Sequence, residues 1–376
     1  MDDEQHVLTH RHGGVGQVIL NRPRALNALT HGMVSGISEA LAAWERDDDV
    51  RAVVISGAGE RGLCAGGDIR AIYEDARVGG GASEAFWRDE YRLNAYIARY
   101  PKPYVAFMDG IVMGGGVGVS AHGGVRIVTE RSAVAMPETG IGLVPDVGGT
   151  YLLSRAPGEV GTHLALTGVV VGAADAVWCG LADHFVASER LEGVRDALGE
   201  ALRGGAAGGL AGGSVGGLAD GRVPVDGVVR DVVARFAGVA PEGRLAADRG
   251  WIDACYAADT VEEIVDRLYG HGHPAAKEAA ETLLTRSPTA LKATLASLRR
   301  ARGLPTLEAV LEQEYRASCA ALATADLVEG IRAQVIDKDR APRWVPGELS
   351  GVTGGEVERF FVAPGGGGLW GGVGVR

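Results

Sequence analysis

The sequence predicts an α/β fold with mostly parallel strands, and three observations carry that prediction. Short apolar runs of strand type alternate with stretches whose apolar residues recur at helical spacing. The turns between them are rich in glycine, with little sign of hairpins. The 376 residues are 46% apolar and 23% charged, the balance of a globular chain with a sizeable core.

Taken in order, Gln17–Leu20 is an apolar run stopped by Asn21-Arg22-Pro23, a strand entering a turn. From Thr30 to Arg46, residues Met33, Val34, Ile37, Leu41 and Trp44 form a helical stripe, with Thr30 as N-cap. Ala52–Ser56 reads as a buried strand, followed by a glycine-rich loop over Gly57–Asp68. A helix over Ala82–Arg99 places Phe86, Tyr91, Leu93 and Ile97 near one face. Pro103–Met108 is the next strand, Gly114–Ala121 opens a helix, and Val125–Thr129 and Ala133–Met136 are short strands. The stretch 204–221 holds too much glycine for a long helix, whereas Val225–Pro342 is dominated by helical patterns such as Thr289–Arg300 and Thr306–Ala323. The expected organisation is therefore a catalytic core over 1–203, a linker or insert over 204–224, a helical region over 225–346 and a poorly ordered glycine-rich tail over 347–376.

A net charge of −11 argues against broad nucleic-acid binding, so an anionic ligand must be met by local cations or backbone N–H groups. The acidic N-terminus has no apolar signal segment, and no apolar run is long enough to span a membrane. Four cysteines (Cys64, Cys179, Cys255 and Cys319) without metal-type spacing predict a reduced, cytoplasmic setting.

Two glycine turns carry chemistry. Leu63-Cys64-Ala65-Gly66-Gly67-Asp68 and Met113-Gly114-Gly115-Gly116-Val117-Gly118 each follow a strand. Glycine lets backbone N–H groups approach a ligand closely. One donor from each turn would make a two-point oxyanion hole, at roughly 2.7–4 kcal/mol per donor. The second turn does not match GxGxxG, so a dinucleotide site is not indicated.

Asn21–Leu29, Cys64–Asp68, Met113–Gly116 and Pro137–Gly142, in that order, resemble the crotonase (enoyl-CoA hydratase/isomerase) superfamily. Glu90–Asn94, Lys102–Ala106, Val144–Gly148 and Glu329–Asp339 resemble its hydrolase branch, which acts on 3-hydroxyisobutyryl-CoA. The resemblance covers about residues 15–345 without the glycine-rich stretch. It implies a spiral of ββα units binding an acyl-CoA with no metal or redox cofactor, coenzyme A being part of the substrate, and assembly as trimers or hexamers. It also implies that the amides of Gly67 and Gly115 hold the thioester oxygen. Arg24, Ala25 and Leu26, with Ala65 and Asp68, would lie beside the CoA.

A departure from the superfamily pattern points to the reaction. A hydratase of this fold uses two glutamates, one of them three residues after the second oxyanion glycine. Here that position is Gly118, which has no acid, while Asp146 appears eight residues after Glu138. By resemblance Glu138 attacks the thioester or activates water, Asp146 orients substrate or water, and Glu90 positions the acyl hydroxyl. Both routes need Glu138 ionised near neutral pH. His122, Cys64 and Asp337-Lys338-Asp339 read as structural, and Asp68 also as a turn or cap residue. A hydratase or isomerase, and a non-catalytic scaffold, stay open as rivals. Intact Glu138, Asp146 and both glycine turns speak against the scaffold.

Overall fold

The computed structural model describes residues 5–203 and 224–371, so the linker expected over 204–224 lies outside it except for Pro224. Eight strands are present in the described residues: β1 (Val7–His12), β2 (Val15–Leu20), β3 (Ala52–Gly57), β4 (Tyr104–Met108), β5 (Ile111–Met113), β6 (Val125–Val128), β7 (Ala133–Ala135) and β8 (His184–Phe185). A six-stranded sheet runs β1-β2-β3-β4-β6-β8, and β5 pairs with β7 in a second, smaller sheet. All pairs are parallel except β1 with β2, which form a hairpin. That hairpin corrects the expectation of few hairpins. Its outer strand carries the polar run Thr9-His10-Arg11-His12, largely in solvent, and leaves no apolar signal.

The inner strands are buried on both faces, which is why they read as continuous apolar runs. Ala52 and Val54 of β3, with Val105 and Phe107 of β4, face the helices Leu191–Ala201 and Val225–Phe236. Val53, Ile55, Ala106 and Met108 point the other way, into the larger core. The helix His31–Glu45 buries the expected stripe, and Thr30 Oγ1 accepts from the Met33 amide. Lys102 closes the far end of this unit by donating to the carbonyls of Asp47 and Val50 at 2.7 and 2.6 Å.

One buried cluster continues from these strands into the C-terminal helices. The helix Gly81–Ala98 lies at its centre, packed between His31–Glu45 and Leu307–Leu322. The tail expected to be poorly ordered is packed as far as Gly371. Phe360 and Leu369 are buried, and Arg92 donates twice to the Leu369 carbonyl. Its glycines hid a few well-spaced apolar anchors. Among the described residues no helix is long and apolar enough to cross a membrane.

Candidate active site

The two glycine turns meet over a cavity of about 260 Å³. The chain at Cys64–Gly67 is held between two neighbours. Leu29 N–H donates to the Gly66 carbonyl at 2.8 Å on one side, and Met113 N–H to the Cys64 carbonyl at 3.0 Å on the other. Gly114 has φ +48°, and a Cβ there would stand 2.9 Å from Glu138 Oε1. A Cβ on Gly115 would meet Glu90 Oε1 at 2.5 Å and the Gly67 nitrogen at 3.3 Å. Only glycine lets the turns and both carboxyl groups close up this far. Among the described residues neither the Gly67 nor the Gly115 amide donates to a protein acceptor, and both residues line the cavity.

Glu90, Glu138 and Asp146 also line it, each at most 5% exposed. Glu90 comes from the central helix, Glu138 from the one-turn helix Glu138–Ile141 after β7, and Asp146 from the following loop. Glu90 Oε1 and Glu138 Oε2 are buried without a hydrogen-bond partner. Asp146 is different, because the fully buried Tyr91 donates its hydroxyl proton to Asp146 Oδ2 at 2.7 Å. Ser318 Oγ, 2.7 Å from that hydroxyl, completes the chain. Burial, and next the charge of Asp146, pushes the Glu138 and Glu90 carboxyls well above the usual range. Burial also raises Asp146, but the Tyr91 hydroxyl opposes it and the pKa stops at about 6. The Tyr91 hydroxyl thus favours the charged form of Asp146, whereas Glu90 Oε1 and Glu138 Oε2 have no donor to offset their burial.

The Asp146 loop is fixed from two sides. Glu314, fully buried on the helix Leu307–Leu322, accepts from Gly148 N–H, Thr150 N–H and Thr150 O–H at 2.6, 2.8 and 2.6 Å. His122 donates through Nε2 to the Val147 carbonyl at 2.7 Å, and burial lowers its pKa to about 4, so it is a neutral latch. The same loop fills the space beside Gly118. A Cβ there would stand 2.7 Å from Val147 Cβ and 2.8 Å from Asn94 Nδ2.

Of the remaining expected residues, Ala65 lines the cavity, whereas Arg24, Ala25, Leu26 and Asp68 do not. Arg24 and Ala25 are exposed on the turn Pro23–Ala25, and Leu26 accepts from the Ala65 amide at 3.0 Å. Asp68 makes no capping bond. It pairs with Arg22 at 3.0 Å, because the guanidinium competes better for its oxygen than a backbone N–H. Cys64 is buried with its thiol pushed up to about 12, an unreactive packing residue. Asp337 and Asp339 each pair with Arg332 at 2.7 Å and pin a π turn, Arg332–Ile336, from which Gln334 reaches the cavity wall. Gln334, Arg286, Tyr91 and Glu314 went unrecognised in the sequence. Only Tyr91 left a trace, since a buried tyrosine needs a partner for its hydroxyl.

The model of the enoyl-CoA hydratase/isomerase family matches residues 15–361, across both glycine turns and all three carboxylates. The chain belongs to that family. It is 41% identical over 363 residues to a Danio rerio protein, covering 94% of this chain and 89% of that one. A Homo sapiens protein is 39% identical over 368 residues, at 96% and 89% coverage. Both are named 3-hydroxyisobutyryl-CoA hydrolase, mitochondrial. Among solved family members, a carnitinyl-CoA dehydratase from Mycobacterium thermoresistibile superposes with TM-score 0.87 at 51% identity, covering 97% of this chain and 98% of that one. An enoyl-CoA hydratase from Rhodobacter sphaeroides does so with 0.85 at 41% identity, covering 97% and 99%. The crotonase-like architecture expected from the motifs is the one this family shares.

Proposed function

We propose that this chain is a thioester hydrolase releasing CoA from a short β-hydroxyacyl-CoA, with 3-hydroxyisobutyryl-CoA, an intermediate of valine breakdown, as its substrate. The observation that carries the reading is the filled space at Gly118. No side chain fits there, so the two-glutamate arrangement that adds water across a double bond is absent. The loop that fills it brings Asp146 to the cavity instead. The names of the curated relatives agree with hydrolysis.

In this reading the thioester oxygen accepts from the amides of Gly67 and Gly115, which stabilise the charge that develops on it. Glu90 holds the β-hydroxyl. Arg24, Ala25, Leu26 and Ala65 flank the CoA, and Asp68 holds their turn through Arg22. Glu138, beside the oxyanion turn, acts in its ionised form on the carbonyl as base for water or as nucleophile, and Asp146 shares the proton of the pair. With Glu138 as base, water gives it a proton and forms the C–O bond, the C–S bond breaks, and the sulfur takes a proton from the carboxyl pair. With Glu138 as nucleophile, the C–S bond breaks as an acyl–Glu138 anhydride forms, and the sulfur takes the pair's proton. Water then cleaves the anhydride to free acid and returns a proton to the pair. Water and thioester become acid and free thiol.

Thiol detection across acyl-CoAs with and without the β-hydroxyl tests this. The expected result is CoA release from 3-hydroxyisobutyryl-CoA, reduced about 10²–10⁴-fold in kcat by Glu138→Gln. The dehydratase and hydratase names of the two solved relatives define the rival outcome. Absorbance changes with enoyl-CoA and no thiol would sink the hydrolase reading.

A further inference from the structure

Resting on the acyl-CoA reading, we infer that Arg286 receives a second anionic group of the bound ligand, set apart from the thioester oxygen. Arg286 lies at the turn before the helix Pro288–Ala301, partly buried in the cavity wall. Its Nε and Nη2 both donate to one carbonyl, that of Thr167, at 3.1 and 2.6 Å. This anchors the guanidinium and leaves Nη1 uncommitted beside Gly140. A Cβ on Gly140 would stand 3.1 Å from Nη1, so the glycine keeps that nitrogen reachable.

Several other partly buried arginines among the described residues are paired with carboxylates. Arg22 pairs with Asp68, Arg126 with Asp183, Arg299 with Glu159 and Arg332 with Glu329. Among the described residues Arg286 has no carboxylate partner, and burial alone lowers its pKa. A desolvated cation without a counter-charge is costly, and a ligand anion in a charge-assisted hydrogen bond offsets that cost. The planar fork suits a carboxylate or a phosphate. An acyl-CoA supplies such oxygens from two sources, a phosphate of the CoA or, in a substrate other than 3-hydroxyisobutyryl-CoA, a carboxylate on the acyl group.

Equilibrium binding of thioethers, which cannot be hydrolysed, separates these sources. The probes are S-butyl-CoA, S-(3-carboxypropyl)-CoA and the matching pantetheine thioethers without the nucleotide phosphates. If the acyl carboxylate is the partner, the wild type binds the carboxypropyl probe at least about tenfold tighter than the butyl probe, and Arg286→Gln removes the difference. If the phosphate is, the variant weakens both CoA thioethers by about tenfold and leaves the pantetheine probes unchanged. Should Arg286→Gln fail to fold, Arg286→Met keeps the packing stem and takes its place. An Arg286→Gln variant that binds every probe as tightly as the wild type does overturns the inference. A wild type that shows the preference but frees no CoA from any thioester sinks the hydrolase reading alone.

Discussion

Asp146 and Glu138 sit in one buried cavity, yet a single tyrosine hydroxyl separates their chemistry. With Asp146 near 6, kcat/KM should rise as pH passes through about 6, because below it Asp146 is protonated and cannot take up the proton the reaction must move. Stability should run the other way. An acid whose folded pKa is raised binds its proton more tightly when folded, so its contribution is greatest below its unfolded value near 4 and is lost as pH rises through 6. Asp146→Asn should therefore abolish most activity while stabilising the fold by up to about 3 kcal/mol above pH 6, and by nothing below pH 4. Denaturant midpoints of both proteins across pH 4–8 check this. At this scale Glu90, Glu138, Asp146, Gly67 and Gly115 were legible because recurring motifs carry them. Arg286 and Gln334 were not. An isolated Arg or Gln in a helical sequence carries no signal of which wall it will reach.

The elements that present these side chains are short and held from outside. The loop at 146–150 has Val147 and Gly148 at φ +52° and +80° and no ladder of its own. Glu314 supplies its hydrogen-bond partners from a helix more than 160 positions away. Glu314→Ala should leave two buried N–H groups unpaired, at about 1–3 kcal/mol each, and lower kcat by loosening Asp146. Glu314→Gln keeps one acceptor oxygen and should recover part of both losses. Unchanged unfolding midpoints in the alanine variant would exclude this clamp. Long amphipathic helices were legible almost to their ends, since burial of one face imposes the 3.6-residue period. The three-residue strands β5 and β7 and the π turn at Arg332 are too short to show one.

Across the whole molecule, the C-terminal helices complete the site rather than cover it. They bring Glu314, Ser318, Arg286 and Gln334 to turns that the first 150 residues build. The tail extends this packing through Val352, Val357, Phe360 and Leu369, all buried. A chain ending at Pro346 should lose several kcal/mol of stability, since a buried Val, Leu or Phe contributes about 1.5–3 kcal/mol. A shortened chain with an unchanged denaturant midpoint would show the tail dispensable. By itself the sequence determined the α/β class, the helix stripes, both glycine turns and the carboxylates, because local periodicity and backbone freedom are properties of neighbours in the chain. Tertiary structure alone decided which carboxyl meets the Tyr91 hydroxyl, why Gly118 admits no acid and where Arg286 points. Desolvation, excluded volume and charge pairing depend on groups that meet only when distant segments pack.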